Sequence, residues 1–350
     1  MPNTKTYDRS KVKNILVVRQ HNQLGDVVLS TPFLAALKKT FTKASLTLVA
    51  SPFNCRMFEG GGSEYIDKLI VFDKNKMGSF FKLMKTLRKK KYDIGFVPST
   101  VSFSGTSHYI NFLSGAKIRI GAKSIDGKKN KSSKLLTVAA DFNWKNTKLH
   151  QTEKILEYGK LAGALLDDSE RRNIKIRLSG DELKFANDYS LEHFRDSGKK
   201  IFAFHAGAGK EGNRWNRDNF IKLIEMLHSE YDCYIVLTSG YMDIEITDFI
   251  YSELVRRNIS AIILDKPHLR NIAAVLSKVD LYVTNDTGLM HAASFVNSKV
   301  IGLFGPTPGY EWGPLNEFGR IIQSPTEDID GIKVETVFGE SKKLIELKRD

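Results

Sequence analysis

Residues 280–304 read DLYVTNDTGLMHAASFVNSKVIGLF. Two short runs, 280–284 and 299–304, enclose a segment of helical period, which is the pattern of a strand, a crossover helix and a second strand parallel to the first. Upstream, the runs 201–205 (IFAFH), 234–238 and 261–264 repeat this pattern with helices between them, one of them at 218–228. The first half does the same with 14–19 (NILVVR), 45–50 (SLTLVA), 68–72, 94–98 and 117–120. Strands alternating with helices predict an α/β protein with parallel sheets. The expected architecture is two Rossmann-like domains, 1–175 and 176–330, with sheets facing an interdomain cleft, followed by a helix within 331–350 able to pack back on the first domain. The segment 173–178 (NIKIRL) reads as the crossing between the halves, inside a linker near 170–195. The stretch 123–134 (KSIDGKKNKSSK) has the composition of a mobile loop.

A chain of 350 residues, 41% of them hydrophobic, is long enough to bury two cores. It has no run of 18 apolar residues, and the opening MPNTKTYDRSKVKN lacks the apolar stretch of a signal peptide, so a cytoplasmic protein is expected. Cys55 and Cys233 match neither a zinc spacing nor a disulfide framework and read as reduced thiols. The net charge of +13 is unevenly spread. Residues 1–150 hold 27 Lys and Arg against 9 Asp and Glu, a balance of +18, whereas residues 151–350 hold 26 against 31, a balance of −5. Such a basic half draws an anionic partner, which leaves nucleic acid, an anionic membrane surface, or a phosphorylated or acidic substrate. Nucleic acid would need an RNA-reading fold or a recognition helix, and the sequence offers neither.

Three motifs follow predicted strands. After the first strand comes Arg19-Gln20-His21-Asn22-Gln23-Leu24-Gly25-Asp26, then a helix through Ser30 and Pro32. Ligands of open α/β sheets bind beyond the carboxyl ends of strands. Gly25 permits a tight backbone there, and Asp26 is placed either to take a proton as a general base or to cap the helix. The second motif is Asn285-Asp286-Thr287-Gly288-Leu289-Met290-His291, where a helix N-terminus offers free N–H groups and a positive dipole end to a diphosphate. His291 lies one turn in, as a phosphate or ribose contact or as a structural histidine of a capped helix. The third is His205-Ala206-Gly207-Ala208-Gly209-Lys210-Glu211-Gly212-Asn213-Arg214-Trp215, whose glycines admit a ligand to the backbone while Lys210 or Arg214 pairs with phosphate. It has neither P-loop spacing nor the Gly-x-Gly-x-x-Gly order, which disfavours a nicotinamide-dependent oxidoreductase. A solvated connecting loop has the same composition. The run 299–314 (KVIGLFGPTPGYEWGP) ends in a loop fit to frame a base or sugar, or to serve as a rigid turn.

In order along the chain, 15–38 (ILVVRQHNQLGDVVLSTPFLAALK), 91–99 (KYDIGFVPS), 115–121 (GAKIRIG), 205–220 (HAGAGKEGNRWNRDNF) and 284–307 (TNDTGLMHAASFVNSKVIGLFGPT) resemble the landmarks of glycosyltransferase family 9, the heptosyltransferases. The resemblance spans about residues 13–315. It implies a GT-B fold, inversion at the anomeric carbon, no cofactor or required metal, and a nucleotide-sugar donor, ADP-heptose in the best-known members. It aligns Asp26 with the catalytic base and puts Arg19, Gln23, Gly25 and Ser30 on the acceptor side. On the donor side it puts His205, Gly207, Lys210, Arg214, Asp243, Asp286, Thr287, Gly288 and His291. Two departures stand out. The family's Lys-Arg-Trp-Pro is here Asn213-Arg214-Trp215-Asn216, leaving Arg214 or Lys210 to neutralise phosphate. A glutamate that often contacts the nucleoside has Asp243 as its nearest, shorter counterpart.

The resemblance further implies an acidic lipid-linked glycan acceptor of the lipopolysaccharide core kind, bound by the basic half, and a place on the inner face of the cytoplasmic membrane. The segment 79–91 (SFFKLMKTLRKKK) sets Phe80, Met84 and Leu87 at helical spacing beside six basic residues. That pattern suits an anionic membrane surface, and equally a helix packing its apolar face on its own sheet. Rival readings are a sugar-nucleotide epimerase of the same fold, acting on donor alone, and a non-catalytic glycan- or nucleotide-binding module.

Overall fold

Apolar runs become strands in both halves of the chain. The computed structural model describes residues 8–20, 24–61, 64–195, 198–240, 242–264 and 268–348, and the chain divides into two units, Met1–Ile176 and Arg177–Asp350. In the first unit β1 (Asn14–Arg19), β2 (Ser45–Ala50), β3 (Lys68–Val71), β4 (Ile94–Val97) and β5 (Ile118–Ile125) run parallel in the order β3-β2-β1-β4-β5. The two-residue β6 (Lys128–Lys129) folds back antiparallel on β5, and β7 (Val138–Phe142) pairs with β5 in parallel. The second unit has β8 (Lys200–His205), β9 (Cys233–Thr238), β10 (Ala261–Leu264), β11 (Leu281–Asn285), β12 (Val300–Phe304) and β13 (Gly319–Gln323), all parallel, in the order β10-β9-β8-β11-β12-β13.

Both orders reverse direction beside the first strand of the unit, between β1 and β4 and between β8 and β11. At such a switch point the connecting loops leave in opposite directions and open a crevice beyond the carboxyl ends of the strands. The opposite, amino ends are fastened alike. Asp93 accepts hydrogen bonds from the N–H groups of Lys13 and Asn14 at 2.9 and 3.2 Å, and Asp280 accepts one from Ile201 N–H at 2.9 Å.

Side-chain alternation builds the cores. In the second unit Phe202, Phe204, Leu281 and Val283 pack with Trp215 and Phe220 on one face, while Ala203, Tyr282, Val236 and Met290 pack on the other. In the first unit Leu16, Val18, Val49 and Val97 meet Leu83, Met84 and Leu87 of the helix Ser79–Leu87, with Phe80 packed against them. The apolar stripe of that helix therefore faces its own sheet.

Several expectations need correction. The stretch expected to be a linker is largely helical, with Asp168–Arg172 and Gly180–His193 both opened by complete capping boxes. The stretch expected to be a mobile loop continues β5 to Ile125 and turns through Asp126 and Gly127, both at positive φ, into β6. The strand at 117–120 is thus longer, and β6, β7 and β13 are additional. The last helix, Val334–Glu346, buries Val334, Val337, Leu344 and Ile345 in the core of the second unit, so 331–350 is not a segment apart from 176–330. Among the described residues no helix is long and apolar enough to cross a membrane.

Candidate active site

In the first unit the switch point is bridged by Arg19, the last residue of β1, which is 2% exposed. Its Nη1 donates to Pro98 O, just past β4, at 2.8 Å, and its Nη2 donates to the backbone carbonyl of Asp26 at 2.9 Å. Ser30 Oγ donates to the same carbonyl at 2.9 Å. Asp26 is thus held through its main chain in the short helix Leu24–Val28, beside Gly25. Among the described residues its carboxylate accepts no hydrogen bond; its nearest cation is Arg19 Nη2, 3.9 Å from Oδ1. The side chain keeps 13% of its surface in solvent. A capping carboxylate would be tied to a backbone N–H, and among the described residues this one is not. Ser30 is buried with its hydroxyl committed to the Asp26 carbonyl, so it helps to fix the position of Asp26. Gln23 lies outside the described residues.

Sequence reasoning missed how much polarity gathers at these strand ends. Among the described residues, Arg19 Nε, Gln20 Nε2 and Ser99 Oγ are buried without a hydrogen-bond partner, an arrangement that costs folding free energy and concentrates where a ligand works. Asn54 Nδ2 donates to Arg19 O at 3.2 Å, and Tyr158 Oη donates to Ser99 O at 2.5 Å, which hold the two strand ends in place.

In the second unit the switch point is bridged by Asn285, the fully buried last residue of β11. Its Nδ2 donates to Ala206 O at 2.8 Å and Gly207 O at 3.2 Å, while its Oδ1 accepts from Trp215 N–H at 3.2 Å. One side chain therefore staples both ends of the glycine-rich loop. Trp215 fastens it further, its indole N–H donating to Ile332 O at 3.0 Å. The loop is a braced one, not a solvated connection. Asn285 could have been noticed as a polar residue closing an apolar strand, but its partners lie too far off in sequence to be read.

Under this loop sit His205, Asp243 and Arg214. His205 Nδ1 donates to Thr238 O at 2.9 Å, and its Nε2 lies 3.7 Å from Asp243 Oδ2. Burial lowers the His205 pKa, against the pull of Asp243 and the Thr238 carbonyl, so the ring is neutral near pH 7. Arg214 Nη2 lies 3.7 Å from Asp243 Oδ1, and its Nε donates to Ala208 O at 3.0 Å. A Cβ on Gly207 would fall 2.0 Å from Asp243 Cγ, so only glycine fits. Asp243, expected as a nucleoside contact, is 8% exposed and turned inward beneath the loop.

A second group faces it along the same strand ends. Asn213 Nδ2 donates to Thr307 Oγ1 at 2.9 Å and Asp286 Oδ2 at 3.3 Å. Burial pushes the Asp286 carboxyl up to about 6, opposed by the Thr307 hydroxyl and the exposed Lys210. Thr287 caps the helix Gly288–Phe295, its Oγ1 accepting from Met290 N–H at 3.3 Å, and the N–H groups of its first turn have no intrahelical partner. His291 is buried inside that turn. The loop after β12 is a rigid turn: Gln323 accepts from Gly309 N–H at 2.7 Å and donates to Gly305 O at 2.7 Å. One Asp-x-Asp triplet, Asp328-Ile329-Asp330, occurs nearby. Its carboxylates accept from Asp330 N–H and Asn216 N–H, so both are engaged by backbone.

A family model described as glycosyltransferase family 9 (heptosyltransferase) matches residues 80–340. Lipooligosaccharide heptosyltransferase 2 of Campylobacter jejuni subsp. jejuni serotype O:2 is 26% identical over 304 residues, 85% of this chain and 83% of its own length. Among solved structures, a glycosyl transferase family 9 protein from Veillonella parvula superposes with a TM-score of 0.82 at 20% identity, covering 97% of this chain and 98% of that one. E. coli ADP-heptose lps heptosyltransferase II superposes with a TM-score of 0.73 at 21% identity, covering 95% and 98%. The fold is accordingly GT-B, made of two Rossmann-like units.

Proposed function

The chain belongs to glycosyltransferase family 9 and is a glycosyltransferase, and from that premise we propose that it transfers heptose from ADP-heptose, with inversion and without a metal, to an acidic lipid-linked glycan of the lipopolysaccharide core kind. The observation that carries the reading is the state of Asp26: a carboxylate fixed through its backbone by Arg19 and Ser30, yet accepting no hydrogen bond among the described residues. Such a group is free to accept a proton. In the proposed step an acceptor hydroxyl attacks the anomeric carbon as Asp26 takes its proton. The bond from that carbon to the diphosphate oxygen breaks, and the electron pair leaves with ADP.

The leaving diphosphate gathers negative charge, which preorganised donors stabilise better than water. The second unit supplies Lys210, Arg214, and the capped start of the helix at Gly288, a set suited to phosphate oxygens. Those positive groups support the metal-free reading, and the names of two relatives support heptose and ADP. The strongly basic first unit supports an acidic acceptor, presented on the cytoplasmic face of a membrane. Calorimetric titration in EDTA with ADP, ADP-heptose, and the UDP and GDP compounds tests the donor half. Selective ADP binding is expected. Preference for UDP or GDP replaces the sugar donor, and dependence on a divalent cation removes the metal-free step.

A further inference from the structure

The helix Ser79–Leu87 turns 80, 83, 84 and 87 toward its sheet, which leaves the opposite face to account for. On that face Phe81 is 79% exposed, and Met77, in the turn just before the helix, is fully exposed. Val71, at the end of β3, is 47% exposed. Residues 74–91 contain eight Lys and Arg and no acidic residue. Lys74, Lys76, Lys82 and Lys85 are exposed and have no ion-pair partner among the described residues. Large apolar side chains held in water and flanked along the chain by exposed lysines match an anionic bilayer, where the apolar groups enter the acyl boundary and the ammonium groups meet lipid phosphate. A nucleic acid would be served by the cations alone and gives no role to Met77.

The patch also has a meaningful place. Arg19, Ala50 and Val71 stand in one row across β1, β2 and β3. Val71 is thus two strand spacings, about 10 Å, from the arginine that holds Asp26, at the same carboxyl edge of the sheet. We propose that Met77, Phe81 and the surrounding lysines seat the first unit on an anionic lipid surface beside its acceptor site. The proposal rests on the lipid-linked acceptor read above, and it assigns the membrane contact to different residues from Phe80, Met84 and Leu87, which the core occupies.

The test is sedimentation of the full chain with vesicles of phosphatidylcholine, alone or mixed with phosphatidylglycerol. The wild type partitions at least about tenfold more strongly to the anionic vesicles, and the difference shrinks as salt rises. Met77→Asp/Phe81→Asp loses about tenfold of that binding, and Lys82→Glu/Lys85→Glu does likewise, while ADP affinity and the unfolding midpoint stay unchanged. Equal partition of the wild type to both vesicles overturns the proposal, as does a Phe81 variant that binds like wild type. Single-stranded RNA bound as tightly as vesicles, or a dimer dispersed by the Phe81 substitution with vesicle binding intact, overturns it in favour of another partner. Nucleotide binding without vesicle binding sinks only the surface. Vesicle binding through Phe81 by a chain that takes no nucleotide sinks the transferase reading and leaves the surface standing.

Discussion

Three residues carry consequences that can be measured singly. Gly207 leaves room for the inward-turned Asp243, and a methyl carbon 2.0 Å from Asp243 Cγ is a clash that must be relieved by moving the loop or the aspartate. Gly207→Ala is expected to lower stability by about 1–3 kcal/mol in thermal unfolding and to weaken ADP binding measured by calorimetry. Asp286 gives a pH signature. Its pKa of about 6 lies above the usual carboxylate value, because burial penalises the charge more than Thr307 and Lys210 favour it. Stability linked to this group is therefore fully present below about pH 4 and lost as pH rises through about 6. At the proposed donor site, falling pH removes a negative charge beside the diphosphate, so ADP affinity relative to Asp286→Asn is expected to strengthen as pH falls from 7.5 to 5.5. The comparison cancels the nucleotide's own ionisation, and parallel pH profiles would contradict this placement of Asp286. The third residue is Asn285, whose three hydrogen bonds brace the loop; Asn285→Ala should cost about 3 kcal/mol of stability, read by denaturant unfolding.

Elements were legible where a physical pattern is local. The strands whose residues are mostly buried, β1, β2, β4, β8, β9, β11 and β12, announce themselves as apolar runs, and the partly exposed β3 and β10 do so through three or four adjacent apolar residues. Two of the strands that were missed lie at sheet edges and are poor in apolar residues: β6 is two lysines, and β13 (GRIIQ) has only two isoleucines set between polar residues. Edge strands carry charge because it blocks pairing with other chains, and that composition imitates a loop. The linker was misread for a similar reason. The helix Gly180–His193 has only Ala186 fully buried, and most of its sequence is polar; what secures it is tertiary, with Phe185 and Tyr189 packed against the core. Glu182 grips the buried Arg270 of the helix Leu269–Leu276 at 2.5 and 2.8 Å, and Arg270 also donates to Arg177 O. Arg270→Ala should cost about 3–5 kcal/mol, because the partner carboxylate stays behind unpaired. Burial opposes ionisation of Glu182, but Arg270 and Ser179 N–H outweigh it and lower its pKa. This contribution is accordingly present above the usual glutamate pKa and lost as pH falls through the lowered one, so Arg270→Ala should flatten the acid limb of the stability profile.

At the scale of the whole molecule, two sheets of one topology divide the labour. Each sets its candidate residues at the switch point and braces the strand ends with a buried polar side chain, Arg19 in the first unit and Asn285 in the second. The candidate residues, Arg19 among them, were readable because they follow strand ends; the bracing roles were not, since Arg19 meets Pro98 and Asn285 meets Ala206 only once the strands are ordered. Charge follows the same division, with +18 in residues 1–150 and −5 in the remainder. The account therefore separates proton removal from donor binding. The most direct test is to measure heptose transfer from ADP-heptose to a lipopolysaccharide-core acceptor by wild type and by Asp26→Asn, with ADP affinity determined on the same preparations. A fall in kcat of about 10²- to 10⁴-fold with ADP affinity unchanged is the predicted result. A variant that transfers heptose at the wild-type rate would contradict the role of Asp26 and with it the mechanism.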